Sequence, residues 1–475
     1  MTVRRLHRAL PWRPISLVGA LVLAPVLYAQ SGSTETQRLR TSAEQAESSE
    51  AAAAAARDNL GSDGVTFDDV LGNPDDIDLN FRFAKAEIQR GNLRSAAGTL
   101  ERVLLLAPER TDVRLIYAIV LFRLNSLLQA KAEFTTLSEA PLSPAIRNSV
   151  DDYLREIELR SQRTRYYVQG SFGFNYDLNR NSGPDNHRVL IGNNVLSVAN
   201  TNAARENDVA ATATVIGGFT HRLDSPTGDK AFGRAGWYHG EQATLSSFDI
   251  DLLFGEVGRD FNTSFGRFTT KVFGSAMRLS HQNFLNSVGG EVRFDHKVND
   301  DIRLYEAIRG ENQNFQPIGE NVLADNEDGM FYNVTFGMHM KASPTFLIDA
   351  HARINVKNAK QQFEAYEGPE FGSTFTWLLG DGMFGQLGAN FRVDTYNATN
   401  NFISTTVVRK DSVLRLRGTL GVPLASMIGA ANEPDWLTGS LVTFGLGYTH
   451  SASSLPNFDY YNTQFSAALN KRWDF

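Results

Sequence analysis

The chain has 475 residues, 42% of them apolar, and its 46 lysines and arginines against 53 acids give a formal charge of -7. This charge argues against a basic nucleic-acid-binding protein, and the absence of cysteine excludes disulfides, thiolate-bound zinc, iron–sulfur clusters and lipid anchors on cysteine. The only long apolar run lies at the start of the chain, so a bundle of transmembrane helices is excluded and a membrane role would have to use strands.

Residues 1–29 have the pattern of a cleaved secretory signal. Four arginines precede the apolar run 15–27, and Ala29 is a small residue suited to cleavage before Gln30. The alternative is a transmembrane anchor, but this run is too short to cross a bilayer of about 30 Å as a helix. Cleavage would remove four arginines and no acids, which lowers the formal charge to -11. We therefore expect an exported, acidic protein whose residues 30–74, rich in Ser, Glu, Gln and Ala, form a flexible tether.

Residues 75–165 predict a helical domain built on a repeat of 34 residues. The same series of small or turn-forming residues, followed by a large residue, occurs twice at a spacing of 34. The first series is Ala84, Gly91, Ala96 and Leu100, and the second is Ala118, Asn125, Ala130 and Phe134. This spacing resembles tetratricopeptide repeats, in which two antiparallel helices approach closely. A generic helical hairpin is the alternative. A third helix, 144–165, would cap the pair with one apolar face made of Ile146, Val150, Tyr153, Leu154 and Ile157.

The first helix of each repeat would line a groove, and half of the predicted groove positions are large and apolar. Such a face is expected to cover either a client peptide or a neighbouring segment of the same chain. The candidate client-binding residues are Phe81, Lys85, Ile88, Gln89, Leu115, Ile119, Phe122 and Arg123, with Asp78 and Asp112 at the same face.

From residue 166 to residue 475 the hydrophobic pattern has a period of two, which predicts an antiparallel transmembrane β-barrel of about 14 strands. In residues 346–357, apolar residues that would face lipid alternate with polar residues that would face water. We expect the same arrangement near residue 250, where Phe248, Ile250, Leu252 and Phe254 would face lipid and Asp249 and Asp251 would face water. A soluble sandwich is the alternative, with its apolar face turned inward. The fourteen segments begin near residues 167, 208, 231, 246, 263, 285, 301, 328, 345, 364, 382, 411, 438 and 460.

The last segment favours the barrel over the sandwich. Its outward positions Phe465, Leu469, Trp473 and Phe475 form an amphipathic strand that ends on an aromatic residue, the usual barrel-assembly signal of outer-membrane proteins. Lys471 departs from the apolar pattern, but near a membrane interface its ammonium group can reach water. We expect a monomeric barrel in outer-membrane lipid, inserted by the barrel-assembly machinery.

No motif in the chain indicates catalysis, a cofactor or a metal. Residues 177–183 have the oxygen-ligand spacing that opens a calcium loop, but Arg188 stands where a bidentate Glu is needed, so a polar loop is favoured. The histidines form no local metal-binding pair, and nucleotide-binding and serine-hydrolase motifs are absent. Charged residues are expected to face the barrel interior, either paired there or tuning what passes: Arg267, Lys271, Arg353, Arg415 and Arg417, with Asp249, Asp251 and Asp349.

The order of signal, helical repeats and barrel resembles the surface lipoprotein assembly modifier family, known as Slam. Residues 170–183, GSFGFNYDLNRNSG, are similar to the family's first strand, with its D-x-N-x-N element at Asp177, Asn179 and Asn181. The resemblance extends over residues 77–475.

Two further motifs support this resemblance. Arg409-Lys-Asp411 precedes a strand, as the family's R-x-D element does. Residues 453–461, SSLPNFDYY, resemble its S-N-x-x-x-Y element, although Ser454 and Asn457 are separated here.

What the resemblance implies is a non-enzymatic outer-membrane translocator that moves particular lipoproteins, or secreted and possibly haem-binding proteins, from periplasm to cell surface. The barrel would be the membrane element, and the repeats, in the periplasm, would dock the client or a periplasmic chaperone. A tetratricopeptide-containing exopolysaccharide export porin and a structural or adhesive barrel are the alternatives.

Overall fold

The computed structural model describes residues 65–199, 203–319 and 321–475. The predicted signal and most of the predicted tether lie outside these ranges. The chain divides into two compact units, with the boundary between Arg165 and Tyr166. Across the described ranges, no helix combines the length and the apolar character needed to cross a membrane.

The first unit is helical. A short helix at its start lies within the predicted tether, and it is stabilised by a capping box in which Thr66 and Asp69 bond each other's backbone. Its Val70 packs with Val65 and Phe83, so this part of the tether belongs to the helical core. The helices are α1 (Phe67–Gly72), α2 (Ile77–Gln89), α3 (Leu93–Leu106), α4 (Thr111–Arg123), α5 (Leu127–Ser138) and α6 (Pro144–Ser161).

The helices α2–α3 and α4–α5 form two hairpins, and corresponding helices begin 34 residues apart. Each hairpin turns at a residue with positive φ, Gly91 at 83° and Asn125 at 60°. The same two backbone hydrogen bonds close each turn, for example from Gly91 N to Ile88 O and from Asn125 N to Phe122 O. The paired core positions are fully buried: Ala84, Ala96 and Leu100 in the first hairpin, and Ala118, Ala130 and Phe134 in the second.

The helix α6 covers the second hairpin with the predicted face. Val150 and Ile157 are buried, and Tyr153 stacks on Phe134 with ring centroids 4.8 Å apart. Tyr153 also meets Phe122 edge-on at 5.1 Å. Ile146, at the start of the helix, remains partly exposed.

The second unit is a closed antiparallel barrel of fourteen strands, as predicted, and each strand begins within a few residues of its predicted start. Consecutive barrel strands pair with each other, and β16 pairs with β1 from Tyr167 opposite Asp474 to Asp177 opposite Gln464. A two-stranded hairpin, β2–β3, stands apart from the barrel sheet, and a short helix, α7 (Leu424–Ile428), lies between β14 and β15. The strands are β1 (Thr164–Asp177), β2 (Arg188–Ile191), β3 (Asn194–Ser197), β4 (Asp208–Arg222), β5 (Lys230–Gln242), β6 (Ile250–Asn262), β7 (Arg267–Leu279), β8 (Gln282–Lys297), β9 (Ile302–Phe315), β10 (Gly329–Ser343), β11 (Phe346–Lys357), β12 (Tyr366–Gly380), β13 (Met383–Thr399), β14 (Val408–Pro423), β15 (Leu441–Ser453) and β16 (Tyr460–Asp474).

Most strands place apolar side chains outward and polar side chains inward, as a lipid-exposed barrel requires. On β11, Ile354 is exposed on the outer face, whereas Arg353 and Asn355 point inward to hydrogen-bond the interior carboxylate Glu370. On β16, Phe465 is exposed and Lys471 donates to the carbonyl oxygen of Thr438 in the adjoining turn, so its ammonium group leaves the apolar face.

The predicted facing of β6 is wrong. Ile250 and Leu252 are buried inside the barrel, whereas Leu253 is 60% exposed on the outer face. Asp251 also points outward, where it lies 2.9 Å from the Nδ1 atom of His239. The reversal occurs because the apolar residues of β6 join an interior cluster, described below, which the alternation within one strand does not reveal.

The turn at Gly91 offers a test of the repeat geometry. Gly91→Ala should destabilise the helical unit by about 1 kcal/mol, because a Cβ atom is unfavourable at positive φ. In contrast, Gly98→Ala, within α3 where nothing lies within 4 Å of the added Cβ, should stabilise the unit by up to ~1 kcal/mol. Urea titration of the full chain, followed by helical circular dichroism while the barrel stays folded, measures both. Equal effects of the two substitutions would contradict the assigned turn.

Candidate functional site

The candidate functional site is the interior of the barrel. We call the end at which β1 begins and β16 finishes the terminal end, and the opposite end the distal end. The interior contains a cavity of about 1150 Å³, lined by residues of most barrel strands. Its polar lining could contact a solute or an extended polypeptide, whereas the outer face could contact only lipid.

Ion pairs line the interior wall. Four of the eight predicted interior charges are among them, Arg267, Lys271, Arg353 and Asp349. The pairs join side chains on one strand or on neighbouring strands. Within the described ranges, seven of the inward pairs that lie within 3.2 Å are Arg234–Glu256, Lys271–Glu291, Arg293–Asp295, Arg309–Glu311, Arg353–Glu370, Arg392–Asp394 and Arg409–Asp411. Charges withdrawn from water need such partners, so pairing explains why the interior tolerates so many of them.

Glu370 on β12 is the most densely bonded of these groups. Its carboxylate accepts from Arg353 at 3.1 Å and from Asn355 and Asn390 at 3.0 Å each. The Nε2 atom of His351 lies 3.5 Å away. These partners come from β11 and β13, so one buried carboxylate ties three neighbouring strands together on their inner side.

The D-x-N-x-N motif fixes the start of loop 1, residues 178–207, at the distal end. Asn179 is buried, donates to the carbonyl oxygens of Gly183 and Tyr461, and accepts from Gly183 N. Asp177 accepts from Asn462 at 2.8 Å. The motif oxygens of Asp177 and Asn179 are therefore engaged by protein donors, which agrees with the predicted polar loop rather than a calcium loop.

The R-x-D motif fixes a second distal loop, loop 7, residues 454–459. Arg409 and Asp411 form a buried ion pair at 2.7 Å. The Arg409 guanidinium also lies 3.4 Å from the ring centroid of Phe458, which belongs to loop 7. Asp411 accepts from Ser453, and Ser454 exchanges hydrogen bonds with the backbone of residues 408–410. The motif therefore holds loop 7 against β14.

The hairpin β2–β3 of loop 1 lies on two other distal loops. It turns at Gly192 and Asn193, both with positive φ, which is the two-residue turn that such hairpins favour. Asn193 accepts from Ser404 at 2.8 Å, in the loop 400–407, and Asn457 both donates to and accepts from the backbone of Leu190. The structure therefore brings all three motif stretches together at the distal end.

An apolar cluster fills the distal interior on the other side of the barrel, along β5–β9. A bulge between β7 and β8, with Phe284 as the extra residue, places both Phe284 and Leu285 in this cluster. Arg180 of loop 1 lies over the ring of Phe248 at 5.6 Å, so loop 1 also reaches this side. The buried members are Phe248, Ile250, Leu252, Met277, Leu279, Phe284, Leu285, Phe315, Ile318 and Ala324.

The sequence pattern does not reveal this cluster. Phe248, Ile250, Leu252 and Phe254 were expected on the lipid face, because alternation alone does not distinguish an apolar interior from an apolar exterior. The sequence does hint at the observed orientation, since Leu253 and Val257, which lie on the opposite face of the same strand, are also apolar. Asp249 was expected in the interior and is buried in a distal loop, where it accepts from Gln242 N.

The candidate client-binding residues of the helical unit differ in exposure. Phe81 and Phe122 are buried in the helical core, and Ile88, Leu115 and Ile119 pack against it. Gln89 and Arg123 are exposed, and the ammonium group of Lys85 lies 4.4 Å from the Phe81 ring centroid. Client binding by this face stays a prediction.

The barrel-assembly residues occupy the outer face and the end of β16, with Phe465 and Phe475 both exposed. Their role in assembly also stays a prediction. Within the described ranges, no group of three or more His, Asp or Glu side chains could hold a metal ion.

The barrel aligns with solved outer-membrane barrels at low similarity. OprD of Pseudomonas aeruginosa is 7% identical over 65% of this chain and 95% of that chain, with a TM-score of 0.33. OccAB3 of Acinetobacter baumannii is 9% identical over 66% of this chain and 99% of that chain, with a TM-score of 0.33. OmpT, an outer membrane protein of Vibrio cholerae, is 7% identical over 66% of this chain and 99% of that chain, with a TM-score of 0.37. The chain matches no protein-family model, and it has no significant match among curated proteins.

Fold and site together define the class of protein. A closed barrel of fourteen strands with an apolar outer face and a charged interior is an outer-membrane-type β-barrel, here joined to a unit of two helical repeats and a capping helix. Its class is therefore that of membrane barrels with an interior suited to transport.

The Asn179 hydrogen bonds predict how firmly loop 1 is held. Asn179→Ala should raise the rate of protease cleavage within residues 185–199 by about tenfold, because each lost hydrogen bond in a buried site costs about 1 kcal/mol. Asn186→Ala is the control, since Asn186 is exposed and bonds only the nearby Arg188 N. Limited proteolysis of the detergent-solubilised protein measures both rates. Equal rates for the two variants would contradict the role of Asn179.

Glu327, in the distal loop between β9 and β10, predicts a pH dependence. Burial of its carboxyl group, followed by repulsion from Glu364, raises the pKa of Glu327 to about 8. The folded loop therefore binds a proton more tightly than the unfolded loop, so its stability should be full below about pH 4.5 and fall as the pH rises through 8.

Hydrogen exchange of residues 316–328, corrected for the intrinsic effect of pH, should be faster at pH 9 than at pH 6. Glu327→Gln should abolish this difference because it removes the titrating group. The control is Glu367→Gln, at an exposed carboxyl group. A pH response that persists in Glu327→Gln would assign it to another group.

Proposed function

We propose that this protein is an outer-membrane translocator that moves a specific lipoprotein or secreted protein from the periplasm to the cell surface. The observation that carries the proposal is the joint position of the three motif stretches that resemble Slam. They lie far apart in sequence, at residues 170–183, 409–411 and 453–461, yet all three contribute to one set of distal loop contacts. A set of contacts shared by three loops is a plausible gate for a large cargo.

The covered distal end supports this proposal over an open porin. Loop 1 bonds the loops 400–407 and 454–459 on one side of the barrel, and the apolar cluster fills the other side. A large cargo needs an opening that is closed at rest, since a wide open barrel would leak small solutes. An exopolysaccharide export porin would instead be expected to keep an open interior.

In the proposed arrangement the distal end faces the cell surface and the helical unit lies in the periplasm. The helical unit joins β1 directly, since the units meet between Arg165 and Tyr166. Apart from 424–440, the turns at the terminal end are short, which is typical of the periplasmic side. The two hairpins would then present their exposed polar residues Gln89 and Arg123 to a client or to a chaperone that carries it.

The proposal predicts a defect in surface display. In a strain lacking the gene, at least one lipoprotein or secreted protein should stay in the periplasm, as measured by protease shaving and surface proteomics. The wild-type gene should restore display. Gln89→Glu combined with Arg123→Glu should reduce display by about tenfold if charge guides docking, whereas Arg94→Glu, on α3, should not.

Barrel levels in the membrane must be equal in all strains. If no protein is retained but surface polysaccharide is lost, the protein is an exopolysaccharide porin and the translocator proposal fails. If neither changes, the proposal fails and a structural or adhesive role takes its place.

A further inference from the structure

The inner wall formed by β12–β15 contains an arginine without a partner. The Nη2 atom of Arg415, on β14, is buried and has no hydrogen bond. Its neighbours in the lateral row are Asn390 on β13 and Thr449 on β15. In the part of the chain that the structure describes, no carboxylate lies within ion-pair distance of Arg415, which sets it apart from the seven paired cations described above.

The carboxylates near Arg415 have other partners, although the Oδ1 atom of Asp394 is buried without a hydrogen bond. The Arg415 guanidinium interacts electrostatically with Arg392, Glu370 and Asp394. However, Glu370 bonds Arg353, Asn355 and Asn390, and Asp394 binds Arg392 at 2.9 Å. Four arginines and three carboxylates point inward from these strands, so positive charge is in excess and Arg415 keeps an unused donor. The arginines are Arg392, Arg409, Arg415 and Arg417, and the carboxylates are Glu370, Asp394 and Asp411.

Further unsatisfied groups lie near Arg415: one is a guanidinium nitrogen, and two are hydroxyl groups, which can donate or accept. The buried Nε atom of Arg392 has no hydrogen bond, and the hydroxyl groups of Ser451 and Tyr460, in the adjoining row, also make none. Unpaired buried donors are costly unless another molecule satisfies them. A ligand for this place would therefore need to be an acceptor and to carry negative charge.

Space for such a ligand lies next to Arg415, toward the terminal end. The positions on either side of Arg417, the next inward residue of β14, are Gly388 and Gly447. A Cβ atom at either glycine would make ordinary van der Waals contacts, with its nearest heavy atom at 3.7 Å or more, so the glycines leave room for a side-chain-sized group beside Arg417. Arg415, Asn390, Thr449 and both glycines line the interior cavity of about 1150 Å³, so this space is continuous with the barrel interior.

We propose that Arg415 anchors an oxyanion-binding subsite inside the barrel, which takes a carboxylate or phosphate group. The planar guanidinium can donate two parallel hydrogen bonds to two oxygens of one such group, and Thr449 can add a hydroxyl donor. This inference does not rest on the proposed function, since a solute channel and a protein translocator could each use the subsite.

The test measures anion binding to the purified full chain in detergent. Acetate and inorganic phosphate are titrated calorimetrically against chloride at constant ionic strength. We expect one or both oxyanions to bind more tightly than chloride, and Arg415→Gln to weaken that binding by about tenfold. Binding of acetate alone identifies a carboxylate subsite, and binding of phosphate alone identifies a phosphate subsite.

Three variants keep the test interpretable. Arg303→Gln, at an exposed inward arginine of β9, is the charge-matched control and should bind as the wild type does. Arg415→Lys keeps the charge but loses the paired donors, so it should also bind more weakly, which covers the case in which Arg415→Gln does not fold. Thr449→Val should weaken binding by a smaller factor. Heat-modifiable migration in gels verifies that each barrel is folded.

Two results would overturn the proposal. In the first, the wild-type protein binds acetate and phosphate no better than chloride, which means that water alone satisfies Arg415. In the second, Arg303→Gln weakens binding as much as Arg415→Gln does, which means that the general positive charge of the interior, rather than a subsite, attracts the anions.

Discussion

The closure of the sheet is the constraint on which the rest of this structure depends. Lipid offers no hydrogen bonds, so every backbone N–H and C=O group in the membrane must find its partner within the chain. Pairing of β16 with β1 meets this requirement, because it leaves the sheet without an open edge. Closure also creates an interior out of contact with lipid, which allows one face of each strand to carry charge.

The interior charges are arranged by the same register that closes the sheet. Neighbouring strands bring Arg353 beside Glu370 and Lys271 beside Glu291 in shared lateral rows. Other pairs, such as Arg392–Asp394, join inward positions two residues apart on one strand. Glu370 extends the pairing to three strands. Removing one member of such a pair would leave the other charge without compensation, so the pairs constrain one another.

The distal end is held by a different kind of contact. Asparagine side chains bond backbone groups of other loops or of adjoining strands, as Asn179, Asn193 and Asn457 do. One cation, Arg409, packs on an aromatic ring of loop 7. These bonds fix loop backbones that no strand ladder holds. Because each loop bonds the next, the three loops form one connected set of contacts.

The architecture of the protein follows from its sequence pattern. Alternation of period two identified fourteen strands, and the repeat of 34 residues identified both hairpins, because these periods follow directly from the geometry of strands and helices. Even the turn residues Gly91 and Asn125 could be placed, since few residue types accept positive φ.

Only the tertiary structure decided which face of β6 points inward, which loops touch, and which arginine lacks a partner. Ile250 and Leu252 alternate as lipid-facing residues would, yet they pack against Phe284 and Phe315 from other strands. Likewise, Arg409 and Arg415 are both arginines on the inner face of β14, but Arg409 has Asp411 and Phe458 beside it, and Arg415 has no carboxylate at pairing distance. The physical reason is that local sequence sets the period of a segment and can supply a nearby ion-pair partner such as Asp411. Burial and the remaining contacts depend on residues that are distant in the chain and adjacent only after the barrel has closed.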